Sequence, residues 1–480
     1  MAWYLWIILL LFLLYVFNLI IILILENREP HKTIAWILVL LFLPGIGLII
    51  YLWVGESLRI KFRDWRLRRP KYAKTMSKIV NAQKQFLNND RLPNYLDNKK
   101  HIIYLALQSA NFPFSKNNSV KILNNGNEFF PELFKEIENA KEHIHLEYYI
   151  FRNDKFTDNF IKLLIKKAKE GVKVRILCDG LGSHKFVKQY KKKLAKNKIN
   201  LGVFLPIKLT FFKSKLNHRN HRKITVIDGK IGFIGGMNIG QEYLDGGDRG
   251  FWRDSQFKIE GPAVYSLQNI FVRDWFFATK KGIYDTKLYP KMEIKNNINL
   301  LVVPSGPNLK WDNSRLMLFS LITNAEKRLY IETPYFAPDE SILMALKSAA
   351  LKGVDVALII PDAPDLPLYR YVNFSYLPGV LNAGVKVYAY KSRERGVLHT
   401  KMLVSDDIST IGSTNLNSRS LKLDFEANVY VFNCNITQKV VDTFKADLKD
   451  CIKITKETLE NQSRIEKFKQ SLARLLSPLM

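Results

Sequence analysis

The chain has 480 residues, with 73 Lys and Arg against 44 Asp and Glu for a formal charge of +29, and 47% of its residues are hydrophobic. That composition excludes a disordered or collagen-like chain, and three cysteines, Cys178, Cys434 and Cys451, are too few and too scattered for a disulfide framework or a zinc ribbon. The length suits two or three packed units of roughly 150 residues, the cysteine usage suits a reducing compartment, and the excess positive charge calls for an anionic partner, nucleic acid or an anionic membrane surface.

The first element is an uncharged run from Met1 to Leu25, and about 20 apolar residues suffice to cross a bilayer. A second uncharged run, Thr33 to Val54, carries Pro44-Gly45 as a kink, and Glu26 to Lys32 forms the tight turn between the two. Neither a basic n-region nor a small-residue cleavage site marks a signal peptide. Trp3, Tyr4, Trp6, Trp36, Tyr51 and Trp53 fall near the ends of the runs, as interfacial aromatic belts do. Residues 1–56 are therefore expected to be two transmembrane helices.

Arg28 and Lys32 are offset by Glu26 and Glu29, whereas Arg59, Lys61, Arg63, Arg66, Arg68, Arg69 and Lys71 crowd the exit of the second run. Positive residues stay inside, so the expected form is a multi-pass cell-membrane protein whose catalytic part is cytoplasmic. The same cluster, with Phe62 and Trp65 interleaved, would lie on anionic lipid headgroups at about 1 kcal/mol per basic residue. Residues 57–114 are read as this basic juxtamembrane linker.

From Ser115 onward the pattern of alternating strands and helices occurs twice. Ile144 to Phe151 and Gly171 to Leu177 read as strands flanking a helical segment; Leu329 to Phe336 and Gly353 to Ile360 repeat the arrangement around a helical Glu340 to Ala350. The expected fold is α/β, with two pseudo-symmetric halves at residues 115–290 and 291–480 and a joint around Tyr284 to Asn297. Glu457 to Leu476, with leucines at helical spacing, reads as a C-terminal docking helix without chemistry.

Each half contains His-x-Lys-x4-Asp: His221, Lys223 and Asp228, then His399, Lys401 and Asp406. Each is followed by a small-residue turn ending in asparagine, Gly235-Gly236-Met237-Asn238 and Gly412-Ser413-Thr414-Asn415. With eight histidines, one chance match is expected about 0.04 times, so two in matching halves are not accidental. On a strand, the period of two puts each His and Lys on one face and each Asp on the other. The His and Lys are thus expected at the reacting face, with the Asp as a buried partner that fixes neighbouring structure.

This residue set is poor chemistry for a metal, since a protonated lysine is no ligand and already supplies the charge a cation would. It suits a phosphodiester. Two lysines and two amides, Asn238 and Asn415, can hold the non-bridging oxygens. One imidazole can attack phosphorus while the other protonates the leaving alkoxide, general acid help being worth roughly 10²–10⁴-fold. The halves are then expected to meet at their motif-bearing strand ends around one active site.

The double motif resembles the phospholipase D superfamily. Arg219 to Lys223, Gly235 to Tyr243, Trp252-Arg253-Asp254, Glu332 to Phe336 and Leu398 to Lys401, together with the order of parts and a terminal Ser477 to Met480, are similar to bacterial cardiolipin synthases over essentially the whole chain. The resemblance implies transfer of a phosphatidyl group from one phosphatidylglycerol to a second, giving cardiolipin and glycerol through a phosphatidyl-histidine, without cofactor or metal. It implies all six motif residues as catalytic, His221 as the nucleophile and His399 as general acid and base, and Asp254 and Glu426 as the carboxylates that orient the two imidazoles. Asp424-Phe425-Glu426 departs from the Asn-Phe-Glu of the family and adds a negative charge. The second motif is also one residue shorter between Asp406 and Gly412 than the first between Asp228 and Gly235.

Lys208, Lys213, Lys215, His218, Arg219 and Arg222 cluster around the first motif, either to draw an anionic headgroup or as a solvated loop, and Phe211 and Phe212 beside them either dip into lipid or pack in the core. The same double motif serves nucleases, for which +29 would suit a DNA backbone. Two spans that confine the site near lipid weigh against that reading, so the partners expected are phosphatidylglycerol and anionic membrane lipid, with no nucleic acid.

Overall fold

The computed structural model describes all residues except 1–2, 26–29, 44, 48–50, 52–70, 89–95, 97–98, 208–216, 247–249, 293–295 and 478–480. It divides into two compact units, Met1–Leu67 with Leu205–Asn217, and Arg68–Phe204 with His218–Met480.

In the first unit Trp3–Leu25 is a 23-residue helix with no charged residue, and Pro30–Phe42 is a second helix of 13 residues. Trp36 meets Tyr51 edge-on at 5.1 Å, beside the buried Leu40. Taken over the described residues alone, no helix is long and apolar enough to cross a membrane. The second helix ends at Phe42, with Ile46, Gly47 and Tyr51 again helical, and residues 44, 48–50 and 52–54 of the expected span lie outside the described residues. The expected kink at Pro44, the basic cluster through Arg69, and Lys208 to Lys215 with Phe211 and Phe212 lie outside the described residues.

Among the described residues the second unit is built on one large sheet of fifteen strands. The order in the first half is Phe114–Asn124, Ser255–Glu260, Ile231–Gly235, Lys223–Ile227, His143–Tyr148, Lys173–Asp179, Asn200–Phe204. The second half repeats it with Ile298–Ser305, Glu426–Phe432, Ile408–Gly412, Met402–Ser405, Arg328–Glu332, Asp355–Pro361 and Lys386–Tyr390, and adds Cys451–Ile454 at the edge. Phe114–Asn124 pairs antiparallel with Ile298–Ser305, Phe114 opposite Leu301, and so joins the halves into one sheet. The central strands, such as His143–Tyr148 and Ile298–Ser305, are buried along their whole length, as strands covered on both faces must be.

The described residues from Lys71 to Phe114 hold elements that the expected linker lacks. Lys71–Asn88 and Lys100–Ser109 are helices, and the latter buries Ile102, Ile103, Ala106 and Leu107 in the core that also holds Leu300 and Leu321. Their spacing makes one apolar helical face, which the basic composition of the segment masks. The missing residue of the second motif is a hairpin residue. The loop between Lys223–Ile227 and Ile231–Gly235 has three residues, and that between Met402–Ser405 and Ile408–Gly412 has two.

Candidate active site

Both motif histidines sit just before a strand, in extended segments that pair with the opposite half. His221 N donates to Phe425 O at 2.9 Å and Phe425 N to Arg219 O at 2.8 Å. His399 N donates to Arg253 O at 2.8 Å, where Val397–Leu398 runs parallel to Trp252–Arg253. Each histidine is therefore carried by one half and held by the other.

The side chains repeat the exchange. His221 Nδ1 lies 3.0 Å from Glu426 Oε1 and 3.0 Å from Ser413 O, both of the second half. His399 Nδ1 lies 2.6 Å from Asp254 Oδ2 of the first half. A carbonyl and a carboxylate can only accept, so His221 Nδ1 carries the hydrogen and Nε2 is left with its lone pair; the Asp254 carboxylate assigns the same tautomer to His399. Tyr149 packs on the His221 ring at 5.2 Å and Trp252 on the His399 ring at 5.1 Å. Burial pushes both imidazoles below their ordinary pKa, His399 well below, with Glu426 opposing the shift at His221. Burial pushes Asp254 up to about 6, against the pull of Lys401. At Glu426 burial is more than offset by His221 and Lys223, which hold the carboxyl below the usual range.

Lys223 Nζ donates to His221 O at 2.5 Å, and Lys401 Nζ to His399 O. Both are fully enclosed, and burial brings Lys223 down to about 7 and Lys401 to about 8. Enclosure thus weakens the charge on both ammonium groups, and an anion bound in the site would restore it.

Asp228 and Asp406 stand apart from this cluster. Asp228 accepts from the N–H groups of Lys141, Glu142 and His143 at 2.8 to 2.9 Å. Asp406 accepts from Glu326, Lys327 and Arg328 at 2.8 to 3.0 Å. Each is half-buried rather than buried, sits at positive φ in the hairpin turn, and fixes the entry of the neighbouring strand. Asp228→Ala is expected to destabilise the fold by about 1–3 kcal/mol, the cost of strand-end donors left unpaired, while the folded fraction keeps its turnover number. Denaturant unfolding and active-site titration would separate the two.

Asn238 Oδ1 accepts from Ile150 N at 3.1 Å, with Nδ2 3.4 Å from the Tyr243 hydroxyl. Asn415 is buried, and its Oδ1 has no hydrogen-bond partner among the described residues. The glycine turn has a steric reason: a Cβ at Gly236 would meet Asp254 Oδ1 at 2.2 Å. The corresponding Ser413 donates instead to Glu426 Oε2. The extra charge of Asp424 is absorbed by Arg419, whose Nε lies 3.1 Å away, and by Arg219 N at 3.2 Å. His218, Arg219 and Arg222 are buried and structural rather than a solvated basic loop: His218 Nδ1 meets Leu423 O at 2.8 Å, and Arg219 lies 3.7 Å from Asp179.

Sequence reasoning missed two acid pairs beneath the site. Arg222 pairs with Asp274 and donates to Glu426 O and Ser305 O, both at 3.0 Å. Arg253 grips Asp447 with two bonds of 2.7 Å. Against each pair lies a second fully buried carboxyl, Glu147 beside Asp274 and Glu332 beside Asp447. Glu147 Oε2, Asp274 Oδ1 and both Glu332 oxygens meet no donor. Burial, followed by the facing Asp, holds Glu147 and Glu332 well above the usual carboxylate range.

The cross-held histidine pair describes one site shared by two similar halves. The family model described as cardiolipin synthase, PLD-like domain, matches residues 133–275 and 318–448, and one described as phospholipase D-nuclease N-terminal matches residues 5–56. A cardiolipin synthase of Halalkalibacterium halodurans is 39% identical over 96% of this chain and 91% of its own. The major cardiolipin synthase ClsA of Bacillus subtilis is 37% identical over 98% of both chains. The chain belongs to the cardiolipin synthase family. Membership makes it a phosphatidyltransferase of the phospholipase D-like kind. The crystal structure of a Haemophilus influenzae phosphatidylserine synthase, 15% identical, superposes with a TM-score of 0.60 over 81% of this chain and 100% of that one, a likeness of fold.

Proposed function

We propose that the enzyme joins two phosphatidylglycerols into cardiolipin and releases glycerol, through a phosphatidyl group carried on His221. The observation that carries this reading is the pair of imidazoles, each with Nδ1 tied to a carboxylate of the other half. Nε2 of His221 attacks phosphorus and the bond to the headgroup glycerol breaks; His399, entering this step as the imidazolium that a bound phosphodiester favours, gives that alkoxide its Nε2 proton. His399 then takes the proton of a headgroup hydroxyl on the second phosphatidylglycerol. That oxygen attacks phosphorus, the P–N bond breaks, and cardiolipin leaves. Glu426, held ionised by its surroundings, favours His221 as the nucleophile, because the imidazole becomes cationic when it is phosphorylated. Lys223 and Lys401, together with Asn238 and Asn415, would surround the non-bridging oxygens, and Asp228 and Asp406 serve as braces rather than reactants.

Purified protein given labelled phosphatidylglycerol alone should yield cardiolipin and glycerol in equal amounts, with or without a chelator. Phosphatidic acid as the main product would make it a phospholipase. Loss of activity on chelation, with recovery on adding a metal, would contradict the lysine argument.

The lysines also set a pH dependence. Free enzyme loses charge at Lys223 and Lys401 as pH rises through about 7 to 8, so kcat/KM should fall over that window. A bound phosphodiester favours the charged amines, so the basic limb of kcat should lie higher. Below about 6 Asp254 takes a proton and its hold on His399 weakens, giving the acid limb. A profile flat from pH 6 to 9 would contradict this account.

The uncharged helix Trp3–Leu25 and the basic residues after the second run support a membrane hairpin with the catalytic unit on the cytoplasmic side. A reporter fused after Met480 should be active only if it is of the cytoplasmic type.

A further inference from the structure

The C-terminal helix Arg464–Leu476 packs one face on the fold and leaves an apolar face outside. Its inner face buries Gln470 and Ala473 and runs alongside the helix Pro367–Asn382 in the same direction: Glu466 pairs with Arg370 near the start, and Ser477 Oγ meets the Tyr376 hydroxyl at 2.8 Å near the end. The outer face presents Ile465 at 68% exposure, Phe468 at 68%, Leu472 at 54% and Leu475 at 75%. Their spacing of three, four and three residues makes a single stripe. Four basic residues, Arg464, Lys467, Lys469 and Arg474, stand on this helix against one acid, Glu466, which Arg370 already occupies.

We infer that this outer face docks the enzyme in the plane of an anionic lipid surface. The inference rests on the proposed membrane phospholipid substrate but adds a contact that the chemistry does not require. A stripe of Ile, Phe and Leu bordered by Lys and Arg is the pattern of an interfacial helix, apolar groups entering the acyl boundary and cations staying among headgroups. Charge selects this occupant over a second copy of the chain, since two-fold pairing of the face would set its basic border against itself.

Position strengthens the case. The first turn of the C-terminal helix lies toward the start of Pro367–Asn382, where Leu366 and Leu368 are also exposed. Next to them is Asp365, bonded by the Tyr335 hydroxyl at 2.6 Å and one of the charges acting on His399 and Lys401. A bilayer against the stripe is therefore adjacent to the rim of the site, so a phospholipid headgroup has a short path to the histidines.

The full-length protein, with exposed Cys434 replaced by Ser, would carry an environment-sensitive fluorophore on Phe468→Cys or Leu475→Cys. It would be reconstituted into phosphatidylcholine vesicles with and without phosphatidylglycerol. The expected result is a blue shift and quenching by bromines on the lipid chains that grow with the phosphatidylglycerol content, while a label at Lys467→Cys stays unquenched. A label that stays in water in both vesicles overturns the inference, as does one buried in detergent in proportion to protein concentration. Cardiolipin formed in the same vesicles reports separately on the proposed reaction: synthesis with a wet label rejects docking alone, and a quenched label without synthesis rejects the reaction alone. A variant with Phe468, Leu472 and Leu475 all changed to Ser loses no inner packing. It should raise KM for vesicle substrate at least roughly tenfold and leave turnover in detergent micelles unchanged; an unchanged vesicle KM overturns the inference.

Discussion

His221→Ala and His399→Ala should each lower kcat by at least about 10³-fold, and the double variant should be little worse than either single one. The reason is geometric. Each imidazole has its Nδ1 occupied by a carboxylate, Glu426 or Asp254, so each offers a single nitrogen to the reaction and neither can be nucleophile and acid at once. Loss of one stalls the cycle at the step it serves. The losses should fall on kcat more than on substrate affinity, because Lys223 and Lys401 are held by backbone carbonyls and survive the substitution. Steady-state turnover with single-turnover controls is the measurement. A residual activity within tenfold of the parent for either variant would remove that histidine from the mechanism.

Asp254→Asn and Glu426→Gln should each cost about 10²–10⁴-fold in kcat, and each should act on the histidine of the other half. An amide can offer its nitrogen where the carboxylate accepted, which turns the imidazole to the wrong tautomer. At Glu426 the carboxylate also accepts from Ser413, so the glutamine disturbs two contacts. The two variants should differ in pH dependence. Asp254→Asn removes the group that titrates at about 6 and should flatten the acid limb, whereas Glu426→Gln should leave it in place. Identical profiles would mean that the two carboxylates are not divided between the histidines in this way.

The chemistry of the site was largely legible in the sequence because it is written twice. His221 with Lys223 and His399 with Lys401 could be paired by spacing; the separation of Asp228 and Asp406 from them, expected from strand parity, comes instead from their place in the hairpin turns after the strands. The fold class followed from the same repetition, since the strand order of the second half copies that of the first. What stayed hidden depends on contacts between distant segments. Arg253 reaching Asp447, Arg222 reaching Asp274 and the unpaired Glu332 beneath them have no local signature, because a charge buried 194 residues away in sequence from its partner looks like any surface charge. The helix Lys100–Ser109 was masked in a similar way, its apolar face lying in a segment read for its basic residues. The fall of both lysines toward neutrality is a property of enclosure and cannot be read from spacing.

The central claim is that one histidine carries the phosphatidyl group between two lipids. The most direct measurement mixes the enzyme with phosphatidylglycerol labelled in its phosphate, denatures it within the first turnover at mildly alkaline pH to preserve a phosphoramidate, and maps the modified peptide by mass spectrometry. The account predicts label on His221, absent from His221→Ala. Label on another residue, or none when glycerol has been released in stoichiometric amount, would contradict it.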